Sequence, residues 1–308
     1  MESTAVNSVF EQPWWLEAVA PGSWKEAVVQ DDSGAVVARL PYCIRKKRIY
    51  MPAYTQCLGV WFAEDGLSPY YRCNEEKERI GTLLDILSQQ AKYIRIRLAP
   101  TNQYVLPYYW HGFQLIPHYT YRINDLSDCE RIYNNFHKTV KKNIKSAKNK
   151  VHLSESNDAS CLFELLDKTF EAQGRSNPMD KAMISRIMKA CEEHHAGKLL
   201  IAEDAAGNMH SGAYLVYDEN VCYYLFAGSD PQFRSSGAQS LVLWEAIQFA
   251  SRHSRVFDFE GSMIESIEVF FRRFGCESTI YYEVRKQPFW ADVMELLKPR
   301  IKKMLHYK

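Results

Sequence analysis

The chain has 308 residues, 46% of them hydrophobic and 24% charged, with 14 glycines and 12 prolines. That make-up belongs to a folded globular protein and excludes intrinsic disorder. A net charge of +1 excludes a whole-molecule field for nucleic acid or acidic lipid, so any such affinity must come from local patches.

The first residues, MESTAVNSVFEQPWW, lack the basic and apolar regions of a signal peptide. No apolar run reaches the ~18 residues of a membrane-spanning helix. A cytoplasmic protein is expected, peripheral at the inner membrane face if it meets a membrane at all. The eight cysteines are scattered with no CxxC pair, which points to free thiols in a reducing compartment. No residues fall at metal-ligand spacing, so no metal is expected.

In chain order, residues 26–42 read as a β-hairpin around Asp31-Asp32-Ser33-Gly34. A helix over 78–91 leads to a strand over 93–98, and Gly112 precedes a tyrosine-bearing strand within 111–123. The segment 136–151 places Phe136, Val140, Ile144, Ala147 and Val151 on one helical face, with six lysines on the rest. Helices follow over 161–174 and after Asn177-Pro178, an expected N-cap with proline at the first helical position. His194-His195 mark a helix C-terminus. A second hairpin covers 199–215, and a strand over 221–228 enters the loop Arg234-Ser235-Ser236-Gly237-Ala238-Gln239 and an apolar helix over 238–250. A strand over 255–260, a tyrosine strand within 274–286 and an amphipathic, basic segment over 289–308 complete the chain.

These elements repeat. Setting Gly34 on Gly207 puts Asp31 on Asp204. Setting Gly112 on Gly275 puts Tyr119 on Tyr282 and Arg97 on Glu260. The expected fold class is therefore α+β, a duplicated unit with a mixed, mainly antiparallel sheet flanked by helices. The boundary is placed between 128 and 129, giving units 1–128 and 129–308.

The strand, glycine turn and helix start at 221–240 form a workable diphosphate site, because the leading N–H groups of a helix are unpaired and partly positive. Its candidate residues are Phe226, Ala227, Arg234, Ser235, Ser236, Gly237, Ala238, Gln239 and Ser240. The bland alternative is a polar turn with a helix cap. In the first copy the corresponding segment, Tyr71–Glu76, has no glycine and two acids, so only the second copy is expected to hold a diphosphate.

RSSGAQ resembles the acyl-CoA loop, (Q/R)xxGx(G/A), of the GNAT N-acyltransferase superfamily. Arg234 and Gly237 match, and Gln239 stands where the pattern has a small residue. FDFEGSMIESIEVFFRRFGCE (257–277) and FHKTVKKNIKSAKNK (136–150) resemble stretches of the Fem-type aminoacyltransferases and their FemAB-like relatives. That group is built of two GNAT-like units, which accounts for the duplication. Many members carry a lysine in an FKxxFG motif, whereas this chain has Phe271 at that position.

The resemblance implies acyl transfer to an amine, with a backbone N–H near Leu225 to Ala227 polarising the carbonyl. Acyl-CoA is the expected co-substrate, and a small molecule or cell-wall precursor bound between the units the expected acceptor. Alternation makes Glu260 the candidate base, with Asp258 beside it, against the alternative that both only pair with arginines or cap a helix. Tyr282 is a candidate proton donor or a packing residue, and Arg272 and Arg273 are candidate holders of an anionic substrate. The lysine helix is either a solvated face or a contact for tRNA, the donor in the alternative of an aminoacyl-tRNA-dependent transferase acting on a peptidoglycan precursor. The basic C-terminal segment either docks on the second unit or meets a membrane surface. A non-catalytic binding protein that keeps the fold is the third reading.

Overall fold

The computed structural model describes residues 7–64, 66–261, 263, 265–288 and 291. These described residues form two compact units, one within 7, 20–117 and 281–291, the other within 8–19 and 118–280.

In the first unit, β1 (Trp24–Gln30) and β2 (Val36–Arg45) form the expected hairpin, followed by β3 (Arg48–Tyr50) and the short β4 (Trp61–Phe62). Helix α2 (Pro69–Gln90) then crosses over to β5 (Tyr93–Arg97), and α3 (Leu106–Trp110) precedes β6 (Gln114–Ile123). The strand order is β1-β2-β3-β5-β12, with β4 on β2 and β12 spanning Glu277–Lys286. Only β3 and β5 run parallel, as a crossover helix requires.

The second unit begins with α1 (Pro13–Val19), then α4 (Cys129–Asn135), α5 (Lys138–Ala147), β7 (His152–Ser156), α6 (Ala159–Glu171) and α7 (Lys181–Glu193). β8 (Gly197–Glu203), β9 (Met209–Tyr217) and β10 (Val221–Ser229) form a meander, and α8 (Ala238–Ala250) crosses to β11 (Val256–Asp258) before α9 (Glu265–Arg272). The order is β6-β11-β10-β9-β8-β7, again with one parallel pair, β10 with β11. This is the expected α+β unit built twice.

The hairpins match atom for atom. Asp31 Oδ1 accepts the Ser33 and Ala35 N–H groups, and Asp204 Oδ1 accepts those of Ala206 and Asn208. Gly34 and Gly207 close the two turns at φ +86° and +82°, a conformation glycine adopts without strain.

The grouping of the chain is not the contiguous split at 128/129. The tyrosine strands are exchanged between the sequence halves: β12 pairs antiparallel with β5, and β6 pairs antiparallel with β11. The N-terminal segment also joins the second unit, where Phe10 packs on Tyr223 and Trp14 stacks on His194. A hydrophobic pattern marks which strands are buried but not which partner each one takes.

Other boundaries moved for local reasons. α2 begins at Pro69 rather than at 78, so helix runs through the place where the second copy has its glycine loop. α7 is capped by Asp180, whose carboxylate accepts the Met183 N–H, and not by Asn177, which bonds Asp167 and the Met179 N–H instead. α5 buries Val140, Ile144 and Ala147 against α8, as its spacing predicts. In α8 only Gln239, Glu245 and Gln248 escape full burial. Fully buried Leu243 and Ile247 each contribute roughly 1.5–3 kcal/mol by transfer from water, so the loop sits on a firm element. The expected amphipathic segment over 289–308 lies, apart from Ala291, outside the described residues. Among the described residues no helix is long and apolar enough to cross a membrane.

Candidate functional site

β10 carries the site's first feature. It follows β9 in register as far as Tyr224↔Leu215, then resumes at Phe226↔Tyr214, leaving Leu225 without a partner. A bulge of this kind re-aims backbone groups. On its other side β10 pairs with β11 only over Val221–Tyr223, so the two parallel strands part company after Tyr223 and Asp258. Phe226 is buried and Ala227 half-buried on the stretch that follows.

Beyond β10, Asp230 caps a 3₁₀ turn over Pro231–Ser236. Arg234 and Ser235 are exposed and Ser236 is buried. Gly237 stands at φ +82°, and α8 begins at Ala238. Three leading amides of α8 are engaged locally: Ala238 donates to Ser236 Oγ at 3.1 Å, and Ser240 and Leu241 donate to the Gly237 carbonyl. Gln239 is exposed at the helix start, and the buried Ser240 hydroxyl lies 3.5 Å from Asn143 Nδ2.

The glycine has a second reason to be there. A Cβ on residue 237 would lie 2.5 Å from the Asn143 carbonyl oxygen, so the α5 backbone occupies that side of the turn. α5 also brings its lysines alongside. Lys138, Lys142, Lys145 and Lys148 are exposed, and Lys150 Nζ lies 3.4 Å from the Ser235 carbonyl.

At the end of β11, Asp258 is fully buried and fully engaged. It accepts from Thr120 Oγ1 at 2.5 Å, Arg122 Nε at 2.7 Å and the Glu260 N–H at 2.8 Å. Asp258 is therefore the ion-pairing residue of the sequence alternatives. Glu260 departs from the alternating pattern: its φ of +54° turns the chain out of the strand, and its side chain is half-buried. Gly261 follows because a Cβ there would lie 2.3 Å from Thr120 Cα.

Arg272 and Arg273 are exposed at the end of α9, where Arg272 pairs with Glu268 at 3.4 Å and the Arg273 carbonyl accepts the His137 N–H. Phe271, at the position of the relatives' lysine, is buried among Tyr224, Phe259 and Phe270. The second unit thus contains the bulge, the glycine loop, Glu260 and the two arginines. Tyr282 belongs to the first unit, where its carbonyl accepts the Leu98 N–H.

Sequence reasoning missed three contributors. The backing of Gly237 by Asn143 is a packing fact with no sequence signal. The Lys168–Asp230 ion pair, 2.9 Å, joins α6 to the loop's first residue. Burial pushes the Asp230 carboxyl up, but the Lys168 and Gln232 hydrogen bonds outweigh it and hold the group below its usual range. The third is His210, whose ring stacks on Phe233 of the loop. Its signal was available: the first hairpin has Val37 at the corresponding place. Among the described residues no group of three or more His, Cys, Asp or Glu is placed to hold a metal ion.

Residues 134–266 match the family described as an acetyltransferase (GNAT) domain, which takes in the bulge, the glycine loop and Glu260, from α5 to the start of α9. FemX has the same architecture over nearly its full length, with a TM-score of 0.67 and 14% identity across 90% of this chain and 93% of that one. The chain has the double-GNAT fold of the FemAB-like proteins. L-PGS from Bacillus licheniformis shares this double-GNAT fold with a TM-score of 0.55 and 10% identity, covering 89% of this chain and 88% of that one. A tandem GNAT protein from the clavulanic acid biosynthesis pathway, solved without AcCoA, matches at 0.53 with 10% identity over 86% and 83%. No curated protein matches the chain in sequence. The glycine loop and the bulged strand both lie within the residues matched to the GNAT domain, and in the first copy a helix runs through the place of the glycine loop.

Proposed function

We propose that this double-GNAT protein is an N-acyltransferase that draws an acyl group from acyl-CoA and passes it to an amine. The observation that carries the reading is the parting of β10 from β11 after Tyr223 and Asp258, with a bulge at Leu225, directly ahead of the Gly237 turn. A thioester laid along the freed edge of β10 would meet backbone N–H groups between Leu225 and Ala227 that can polarise its carbonyl. Arg234, Ser235 and the start of α8, from Ser236 through Gly237 and Ala238 to Gln239 and Ser240, would hold the diphosphate. Glu260 would take the amine proton, directly or through a water, and Arg272 and Arg273 would hold an anionic part of the acceptor. Tyr282 has no step in this scheme.

Calorimetric titration of the protein with CoA and acetyl-CoA tests it, beside an Arg234→Glu variant. Arg234 is exposed, so the variant removes the anion partner without disturbing the core. Saturable binding that the variant weakens at least tenfold supports the donor site, and no binding to the native protein overturns it.

The α5 lysines favour a second reading, in which the donor is an aminoacyl-tRNA. Three exposed lysines, Lys138, Lys142 and Lys145, stand on a helix whose backbone touches the loop, and Lys148 follows at its C-cap. Phosphate contacts there would make tRNA binding fall steeply with salt, and Lys142→Glu/Lys145→Glu would flatten that slope by about one unit per lost contact. The structures of FemX and L-PGS direct attention to a cell-wall precursor or a lipid-borne amine as acceptor under either reading.

A further inference from the structure

His210 sits at the start of β9 with 5% of its surface exposed. Its Nε2 lies 3.3 Å from Asp204 Oδ2, and its ring lies parallel to that of Phe233, with centroids 4.0 Å apart and planes 7° apart. Its carbonyl accepts the Asp230 N–H at 3.0 Å, at the loop's first residue. Its Nδ1 is buried with no hydrogen-bond partner among the described residues.

The first hairpin is an internal control. It closes the same aspartate turn with the same backbone bonds and has no histidine, the place being held by Val37. In the first copy a helix also runs through the place of the glycine loop. His210 is therefore not required to close the turn, and its contacts run to the loop.

We propose that His210 is a positioning residue for the donor loop: oriented by Asp204, its imidazole holds Phe233 and with it the backbone from Asp230 to Gly237. The donor role of the loop rests on the function proposed above; the positioning does not. The charged groups around the ring are Asp204 on the hairpin, Asp230 on the loop and, bonded to Asp230, Lys168 on α6.

Amide hydrogen exchange on the full-length protein tests this with His210→Ala and His210→Phe. The alanine variant is expected to exchange up to about tenfold faster across residues 231–237, the worth of one aromatic stack. Residues 204–208 should keep native rates, because Asp204 still holds the Ala206 and Asn208 amides. The phenylalanine variant keeps a ring against Phe233 and should recover most of the loop's protection. Unchanged loop exchange in the alanine variant overturns the proposal. So does a rise in the hairpin equal to that in the loop, which would mark general loosening, or a phenylalanine variant whose loop exchanges as fast as the alanine variant's. CoA titration of the same proteins separates the two readings. Native protein that binds no CoA sinks the donor role and leaves the exchange result to judge His210, whereas binding weakened in step with the exchange supports both.

Discussion

Asp258 and Arg122 form a buried ion pair, Oδ2 to Nε at 2.7 Å, although one belongs to the second copy of the repeat and the other to the first. Its counterpart in the first unit is Glu283 of β12, which accepts from Arg95 Nε at 2.7 Å and from Arg285 Nη2 at 2.7 Å. Under the repeat, Arg95 corresponds to Asp258, Thr120 to Glu283 and Arg122 to Arg285. Had each half kept its own tyrosine strand, Arg95 would face Thr120 and Arg122 with no acid. Asp258 would face Glu283 and one arginine. The charges match the exchanged pairing and oppose the unexchanged one.

Transposing two of these residues therefore inverts the preference at nearly constant composition. Thr120→Glu with Glu283→Thr leaves Asp258 facing a buried acid and Arg95 facing only Arg285. Breaking buried pairs this way costs about 3–5 kcal/mol. Adding Arg95→Asp and Asp258→Arg restores a matched set on both sides and should recover most of the loss. Urea denaturation of the double and quadruple variants checks it, and a double variant as stable as the native protein would rule the charge pattern out as the cause.

The same cluster sets an acid limit on stability. Burial pushes the Glu283 carboxyl up, but hydrogen bonds from Arg285 and Arg95 outweigh it and hold the group below its ordinary value. A carboxyl depressed in the folded state contributes stability that is fully present above its unfolded value, about 4.3. That contribution is lost as pH falls through the lower folded value. Native protein should thus exceed Glu283→Gln in urea midpoint at neutral pH, and the gap should close below about pH 4. A gap independent of pH would assign the difference to shape and not to charge.

Local chemistry was legible and pairing was not. Asp31 and Asp204 announced their turns because an aspartate two to four residues ahead of free amides can only close one way, and α5 and α8 announced their buried faces by spacing. The strand exchange left no trace in hydrophobic pattern, since Phe257 and Val284 are buried in either arrangement. It was encoded in Asp258, Arg122 and Glu283, whose charges gain meaning only once the strands are set side by side. At the site, Gly237 was found for its freedom of φ, while its contact with Asn143 depends on a helix nearly a hundred residues earlier.

That contact separates two kinds of loop variant. Gly237→Ala places a methyl 2.5 Å from the Asn143 carbonyl oxygen at a φ of +82° that alanine resists. It should lower stability by about 1–3 kcal/mol and loosen α5 from α8. Arg234→Ala, at an exposed position, should leave the unfolding midpoint unchanged within about 0.5 kcal/mol. Loss of ligand binding in both variants, with loss of stability only in the first, is the expected pattern in paired thermal and calorimetric scans. A stable Gly237→Ala protein would mean that α5 yields at Asn143.

Phe271 packs against Tyr224 in the core of the second unit. The two rings meet at 6.3 Å and 89°, and the buried Tyr224 hydroxyl has no hydrogen-bond partner among the described residues. Burial also pushes that hydroxyl well above the usual tyrosine range, so it stays neutral. An unsatisfied buried hydroxyl costs about 1–3 kcal/mol, so Tyr224→Phe should be neutral or stabilising, where loss of a bonded hydroxyl would destabilise. Phe271→Lys puts an ammonium among aromatic rings beside the Tyr224 side chain, and should cost several kcal/mol. Combined with Tyr224→Phe it should cost more still, because the Tyr224 hydroxyl is gone. A double-mutant cycle in urea reads the coupling directly. Coupling near zero would place the lysine away from Tyr224, and the cluster would then be only a packed core. A clear coupling would show that an ammonium at position 271 reaches the Tyr224 hydroxyl.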